Sequence, residues 1–524
     1  MFANAAQWPQ SRHRAGQRCR RWRASGTSHT RDRALTPGTT VSLDYSPAIA
    51  ANRFGLGAKP GELTAIGTDA RAWLDAQLHG PAPAVAGVGL RDSASILREA
   101  GEVRRQLQAQ RRTASAGSTV PAVAANAVPA ASSSAGEVLA LVMRLPQLYR
   151  PIYIGEVQAR LRSAVATDRP WVERLAYFWS NHFAVSIDKL AVLGLAGTLE
   201  REAIRPHLLG NFRDLLLAVE QHPAMLLYLD NQRSVGPNSM LAQRAARRER
   251  TLGLNENLAR EILELHTLGV DAGYTQADVT SFAKVLTGWS LGGGEAAGGM
   301  QSGTNGEFLF RPLLHEPGTQ SVVHHSYAQS DQAQGRAALA DLARSSATAR
   351  HIATKLARHF IADDPPPAAV ARIAAAFERS DGDLPQVYRA LLSCEEAWHA
   401  PLAKYKTPQD YLLSIYRGLQ LPVGDAPRSI AGFDLLGQRQ FAPGSPAGWP
   451  DRSDDWDGAS ALMKRIEFAD TVAQRRGDTH AVVDLGPQLL GANYSDETRV
   501  SLSHAATDAQ ALTLLLTAPE FLRR

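Results

Sequence analysis

The chain has 524 residues, 44% hydrophobic and 20% charged, which is enough for two to four packed domains of ordinary globular composition. No apolar run reaches bilayer-spanning length, and two cysteines, Cys19 and Cys394, argue against a disulfide framework or a cysteine-ligated zinc site. The formal net charge of +5 belongs to residues 1–40, where eight arginines face one acid, Asp32; the body is nearly neutral, and nucleic acid is disfavoured as its partner.

Residues 1–40 read as a disordered arginine-rich tail or a mis-assigned start, with the folded protein beginning near Val41. Arg20-Arg21 has no apolar stretch after it, unlike a secretory or twin-arginine signal. The missing signal makes a cytoplasmic location the default, and export alongside a partner the alternative. Residues 41–112 form an N-terminal helical segment in which "ELTAIGTDARAWLDAQL" is expected as one amphipathic helix ending at Gly80-Pro81. Residues 113–135 are a low-complexity Ala/Ser/Pro insertion.

Residues 136–290 make a central helical core that carries the candidate site. In "WVERLAYFWSNHF" the residues Trp171, Leu175, Phe178, Trp179 and Phe183 form an aromatic face with His182 at its centre. Glu173, Ser180 and Asn181 face away or lie on the flank. Residues 291–330 are a glycine-rich loop with a short extended segment at "EFLFRPLLHEPG". Residues 331–524 form a C-terminal helical region. There Ile352, Leu356 and Phe360 share a stripe, Pro365-Pro366-Pro367 stop the helix, and about 423–455 is expected as a loop. The class is mainly α: a multi-helical globular bundle with long Gly/Pro-rich loops and little strand.

The most informative stretch is "NENLAREILELHTLGVDAGYTQADV", from Asn255 to Val279. On a wheel of 100° per residue Leu258, Ile262 and Leu265 form an apolar arc, and Asn257, Glu261 and Glu264 share the opposite face. Glu256 and Arg260 lie beside them. Gly269 is expected to end the helix, and Thr275 with Asp278 to open the next by a capping box. His266 falls within the apolar arc, which excludes the Glu-x-x-His pattern of di-iron bundles and His-Glu-x-x-His.

An inward histidine ordinarily bonds a backbone carbonyl or a buried acid, and a glutamate cluster with an arginine is ordinarily a solvated face. The sharper alternative is a divalent-metal site of His182, His266 and His315 converging with Glu261 or Glu264. Glu261 and Glu264 are also spaced to act as acid and base in glycoside hydrolysis. Asn181, Asp230, Asn231, Glu256, Asn257, Arg260 and Glu316 are the expected pocket-lining residues.

The segments "NRFGLGAKPGEL", "FWSNHF", "HPAMLLYLDNQRSVGPNS", Gly253–Trp289, "FRPLLHEPG", "SATARHIATKLARHFIADDPPP", "SPAGWPD" and "LLLTAPEF" resemble the bacterial "domain of unknown function 1800" family. The resemblance covers about residues 46–522. It implies a helical bacterial protein whose genes often neighbour those of a second family, similar to sulfatases and alkaline phosphatases, whose members frequently carry export signals. His182, Glu256, Asn257, Arg260, Glu261, Glu264, His266 and His315 match the family pattern. Ser180, Ser345-Ser346 and Gln320 stand where relatives often carry histidine, His-Pro and lysine.

Three functions compete at this level. The favoured one is a non-catalytic accessory protein that binds an exported sulfatase- or phosphatase-like partner. The alternative is a metal-dependent or glycan-acting hydrolase with a Glu/His pocket. Nucleic-acid binding through the arginine tail is the outsider.

Overall fold

In the computed structural model the described residues are 44–116, 144–270, 272–293, 306–424, 426–476 and 482–524. The expected tail, residues 117–135 of the insertion and most of the glycine-rich loop lie outside them. The residues described are mainly helical, with four short strands in two antiparallel pairs.

Local signals set many of the helix ends. Pro170 occupies the first turn of helix Pro170–His182, where its missing N–H costs nothing. Thr275 and Asp278 form both bonds of a capping box before helix Gln276–Val285. Gly269 has φ +89 and its N–H reaches back to the Leu263 carbonyl at 3.1 Å. Helix Ser346–Phe360 stops before the prolines, and Pro367 then opens helix Pro367–Arg379.

Several expectations need correction. The single early helix is two, Glu62–Ile66 and Ala70–Ala76, because Gly67 turns the chain at φ +64 and Asp69 caps the second by accepting from Ala72 N at 2.9 Å. Residues 113–116, assigned to the insertion, continue helix Ser93–Ala116. The one extended segment becomes strand Phe308–Phe310, paired antiparallel with Trp289–Leu291, and a second hairpin joins Gln320–Val322 to His325–Tyr327. The expected loop at 423–455 contains helix Ala426–Leu436.

Glu173 does not face away. Helix Pro170–His182 is packed on all sides, and Glu173 is fully buried in an ion pair with Arg205 at 2.5 Å. The polar side of a helical wheel was satisfied by an internal cation instead of water.

Three helices contain widened π turns: Ala50–Phe54, Leu199–Ile204 and Ile262–His266. Each inserts a buried polar group, respectively Arg53, Glu200 and His266, into the interior. The apolar core falls into two clusters. The larger holds Phe54, Trp171, Trp179, Phe212, Leu263, Trp289 and Phe360. The smaller holds Tyr177, Tyr411, Ile415, Leu489 and Phe521. Paired charges occupy the seam between them. No helix among the described residues is long and apolar enough to cross a membrane.

Candidate functional site

Helix Pro170–His182, helix Ser346–Phe360 and the loop "AGWPDR" at 447–452 enclose a cavity of about 350 Å³. Phe178, His182, Lys355, His359, Trp449 and Asp451 are among its walls. The loop is held by reciprocal bonds: Asn181 Nδ2 donates to the Trp449 carbonyl at 2.9 Å, and Trp449 N donates to Asn181 Oδ1 at 2.8 Å. Gly448 makes this approach feasible. Its φ is +84, and a Cβ there would stand 2.3 Å from the Asn181 carbonyl oxygen. Gly448→Ala is therefore expected to break both bonds and displace the loop, seen as a red shift of Trp449 emission; an unchanged spectrum with the clamp intact by crystallography would refute the packing argument.

The histidines do specific work at the end of the glutamate-bearing helix. A helix leaves its last carbonyls without intrahelical partners. Here the Leu265 carbonyl accepts from His351 Nε2 at 3.1 Å, and the His266 carbonyl from His182 Nε2 at 3.2 Å. His351 lies against Gly269, where a Cβ would be 2.7 Å from its Nδ1. His266 itself pairs through Nδ1 with buried Glu220 at 2.7 Å. Because a carbonyl can only accept, His182 carries its proton on Nε2. Its Nδ1 lone pair is buried, without a partner, on a side chain that lines the cavity.

His359 repeats the arrangement. Its Nδ1 meets Asp451 Oδ2 at 2.8 Å, and its Nε2 has no partner. Burial pushes His359 down to about 4, and burial together with Lys355 does the same to His351. All three rings facing this region are thus neutral near pH 7. Burial likewise brings the Lys355 amine down to about 8.

Beneath the same loop a smaller cavity, about 80 Å³, reaches an ionic floor. Asp410 pairs with Arg174 at 3.1 Å and with Arg524 at 2.8 Å. Asp451 is shared by Arg524 at 3.3 Å and Lys404 at 3.7 Å. Burial alone would raise both carboxyls, but Arg174 and Arg524 hold Asp410, and His359 and Lys404 hold Asp451, well below the carboxylate range. On the other wall Glu200 binds Arg160 at 2.7 Å and Arg205 at 2.7 Å, and accepts from Ser180 Oγ at 2.8 Å.

Of the residues expected from sequence, this cleft gathers Asn181 and His182, with His266 immediately behind. Asn181 serves as the loop clamp. Glu261 and Glu264 line neither cavity. Arg260 bridges Glu256 at 3.3 Å and Glu264 at 3.4 Å, an outer ladder that Gln276 and Thr280 complete. Glu261 is half-buried, and burial raises its carboxyl. Asn257 N donates to Asn255 Oδ1 at 3.0 Å.

His315 stands apart, bonded through Nδ1 to the Thr287 carbonyl at 2.8 Å and packed on Phe310. Glu316 accepts from Asn238 N and Nδ2 at 2.7 and 2.6 Å, pinning the "SVGPNS" turn. Asn231 donates to the Leu286 and Trp289 carbonyls, and Asp230, at φ 57, pairs with Lys189 at 2.6 Å. His182, His266 and His315 therefore do not converge, and among the described residues no group of three or more His, Cys, Asp or Glu is placed to hold a metal ion.

Sequence reasoning missed Lys355, His351, His359, Asp451 and the buried arginines. One signal was available. His351, Lys355 and His359 repeat every four residues, beside the Ile352, Leu356 and Phe360 stripe, and so form a polar row bordering a buried one.

Fold and site together define a mainly helical protein with a clamped cleft over a buried ionic seam. The chain matches the family described as "Protein of unknown function (DUF1800)" over residues 49–523, and it belongs to that family. No curated protein and no solved structure matches it.

Proposed function

We propose that this protein binds a small polar molecule in the cleft under Trp449. The observation that carries the reading is a pair of unpartnered imidazole nitrogens, His182 Nδ1 and His359 Nε2, on side chains lining one cavity. A buried acceptor left unmet costs about 1–3 kcal/mol, so two in one cleft call for donors from a ligand. The test is a screen of small hydroxylated and amino compounds against protein labelled with ¹⁵N-histidine. Hits are expected to shift the His182 and His359 ring nitrogens; hits that leave both unmoved would sink the reading. Glu261→Gln and Glu264→Gln are expected to leave this binding unchanged, because neither side chain lines the cleft. Loss of binding in either variant would return the site to the glutamate helix.

A second reading keeps the accessory role toward a sulfatase- or phosphatase-like partner. It draws support from the segment 240–250, where Arg244, Arg247, Arg248 and Arg250 are exposed on a helix and turn and Glu249 is the sole acid. Such a surface suits an acidic partner face. Co-expression should recover the partner in a salt-sensitive complex, and charge reversal at Arg247 and Arg248 should release it; a complex indifferent to both changes would reject this surface.

A further inference from the structure

We infer that the ligand of the cleft carries an oxyanion that pairs with Lys355, adjacent to an O–H or N–H group that His182 Nδ1 accepts. This rests on the cleft being a ligand site, as proposed above.

Lys355 lines the 350 Å³ cavity, and no carboxylate of a described residue lies within ion-pair reach of it. Arg358, three residues on and in the same wall, gives its Nε to the Asp363 carbonyl at 3.2 Å and also lacks a carboxylate partner among the described residues. The acid nearest in effect, Asp451, is already held by His359, Lys404 and Arg524. Two cations therefore line the cavity with no carboxylate at ion-pair distance; the exposed Asp455, which also lines it, pairs with neither. Both side chains are partly shielded from water, and a carboxylate or phosphate arriving there is attracted more strongly than it would be in bulk solvent.

His182 adds the second half of the specification. With its proton committed to the His266 carbonyl, Nδ1 presents a lone pair, which repels an anionic oxygen and accepts from a hydroxyl or amino group. The shared chemistry is a small hydroxy or amino acid, or a phosphate that retains an O–H.

The charge balance around Lys355 makes the pairing measurable. Asp451 favours its ammonium form, whereas burial and Arg358 oppose it. The neutral ring of His351 lies one turn back on the same helix, that of His182 faces it from helix Pro170–His182, and Arg452, paired with Asp364 and Asp454, and the exposed Asp455 line the cavity from the loop side. A bound oxyanion restores the ammonium. Above about pH 8, where the free amine has lost its proton, binding must take up a proton, and affinity should fall about tenfold per pH unit.

The experiment is calorimetric titration of the full chain with glycolate, its neutral counterpart glycolamide, and inorganic phosphate. Glycolate or phosphate is expected to bind at least about tenfold tighter than glycolamide. That preference should vanish in Lys355→Met and return in part in Lys355→Arg. On the unaltered protein, buffers of differing ionisation enthalpy should reveal proton uptake near pH 8.5, which keeps the test valid if Lys355→Met fails to fold. Equal binding of glycolate and glycolamide, or anion binding without proton uptake, overturns the oxyanion inference and leaves the cleft reading standing. If no probe binds and none moves the His182 and His359 nitrogens, both fail.

Discussion

Asp410→Ala should lower the stability of the protein by about 3–5 kcal/mol, read as the urea midpoint at an unchanged slope by circular dichroism and tryptophan fluorescence. The residue is 4% exposed and neutralises Arg174 and Arg524, exposed by 2% or less in their side chains. Removing the carboxylate leaves Arg174 without its ion-pair partner beside Arg524, which keeps Asp451 alone, with Lys406 close by. Lys406 has no hydrogen-bond partner of its own, and burial has already brought it down to about 7. The cost is that of stranding charge, not of losing attraction. Asp496→Ala is the control: its pair with Arg499 is at 2.8 Å but solvent-exposed, and exposed pairs contribute roughly 0–1 kcal/mol. Equal effects at the two positions would refute the ionic seam as a structural element.

The second large effect is acid destabilisation by histidine. Burial, with Lys355 adding to it, holds His351 at about 4 in the folded protein, against about 6.5 when unfolded. Between these values the unfolded chain binds the extra proton and the folded chain does not. Stability is therefore complete above about pH 6.5 and lost as the pH falls through about 4. The shift corresponds to about 3 kcal/mol for His351, and His182 and His359 change in the same direction. His351→Gln can still donate to the Leu265 carbonyl but cannot titrate. Its urea midpoint should fall less between pH 7 and pH 4 than that of the unaltered chain; parallel curves would remove His351 from the account.

What could be read from sequence follows from which interactions are local. The capping box at Thr275 and Asp278, the stop at Gly269 and the proline boundary after Phe360 each depend on residues within one turn, and each is present. The inward direction of His182 and His266 was equally legible from apolar periodicity. Their partners were not: Glu220 lies 46 positions from His266, and the carbonyl that His182 meets lies 84 positions away. Glu173 was misplaced for the same reason, since a polar wheel position implies solvent unless a distant arginine is known to cover it. The π turns were also invisible, because 3.6 residues per turn was assumed where the chain widens at Ile262–His266. Trp449 and Asp451 stand in "SPAGWPD" as a resemblance alone; nothing local announces that Asn181, 268 positions earlier, grips Trp449.

The long span of the seam has a kinetic meaning. Arg417 donates to the Gly57 carbonyl 360 positions away, Arg53 to Ala397 at 344, and Arg524 crosses back to Asp410 and Asp451. Loops of that length must close before these contacts give anything in return, which places their formation late and slows it. Helical segments can assemble as the chain is made, but until Arg524 is in place Asp410 and Asp451 lack one of the cations that they share. The cleft is therefore a non-modular trait: any truncation or swap that keeps the aromatic helix but separates it from the arginine at position 524 should yield a helical core whose cleft has lost part of its ionic floor.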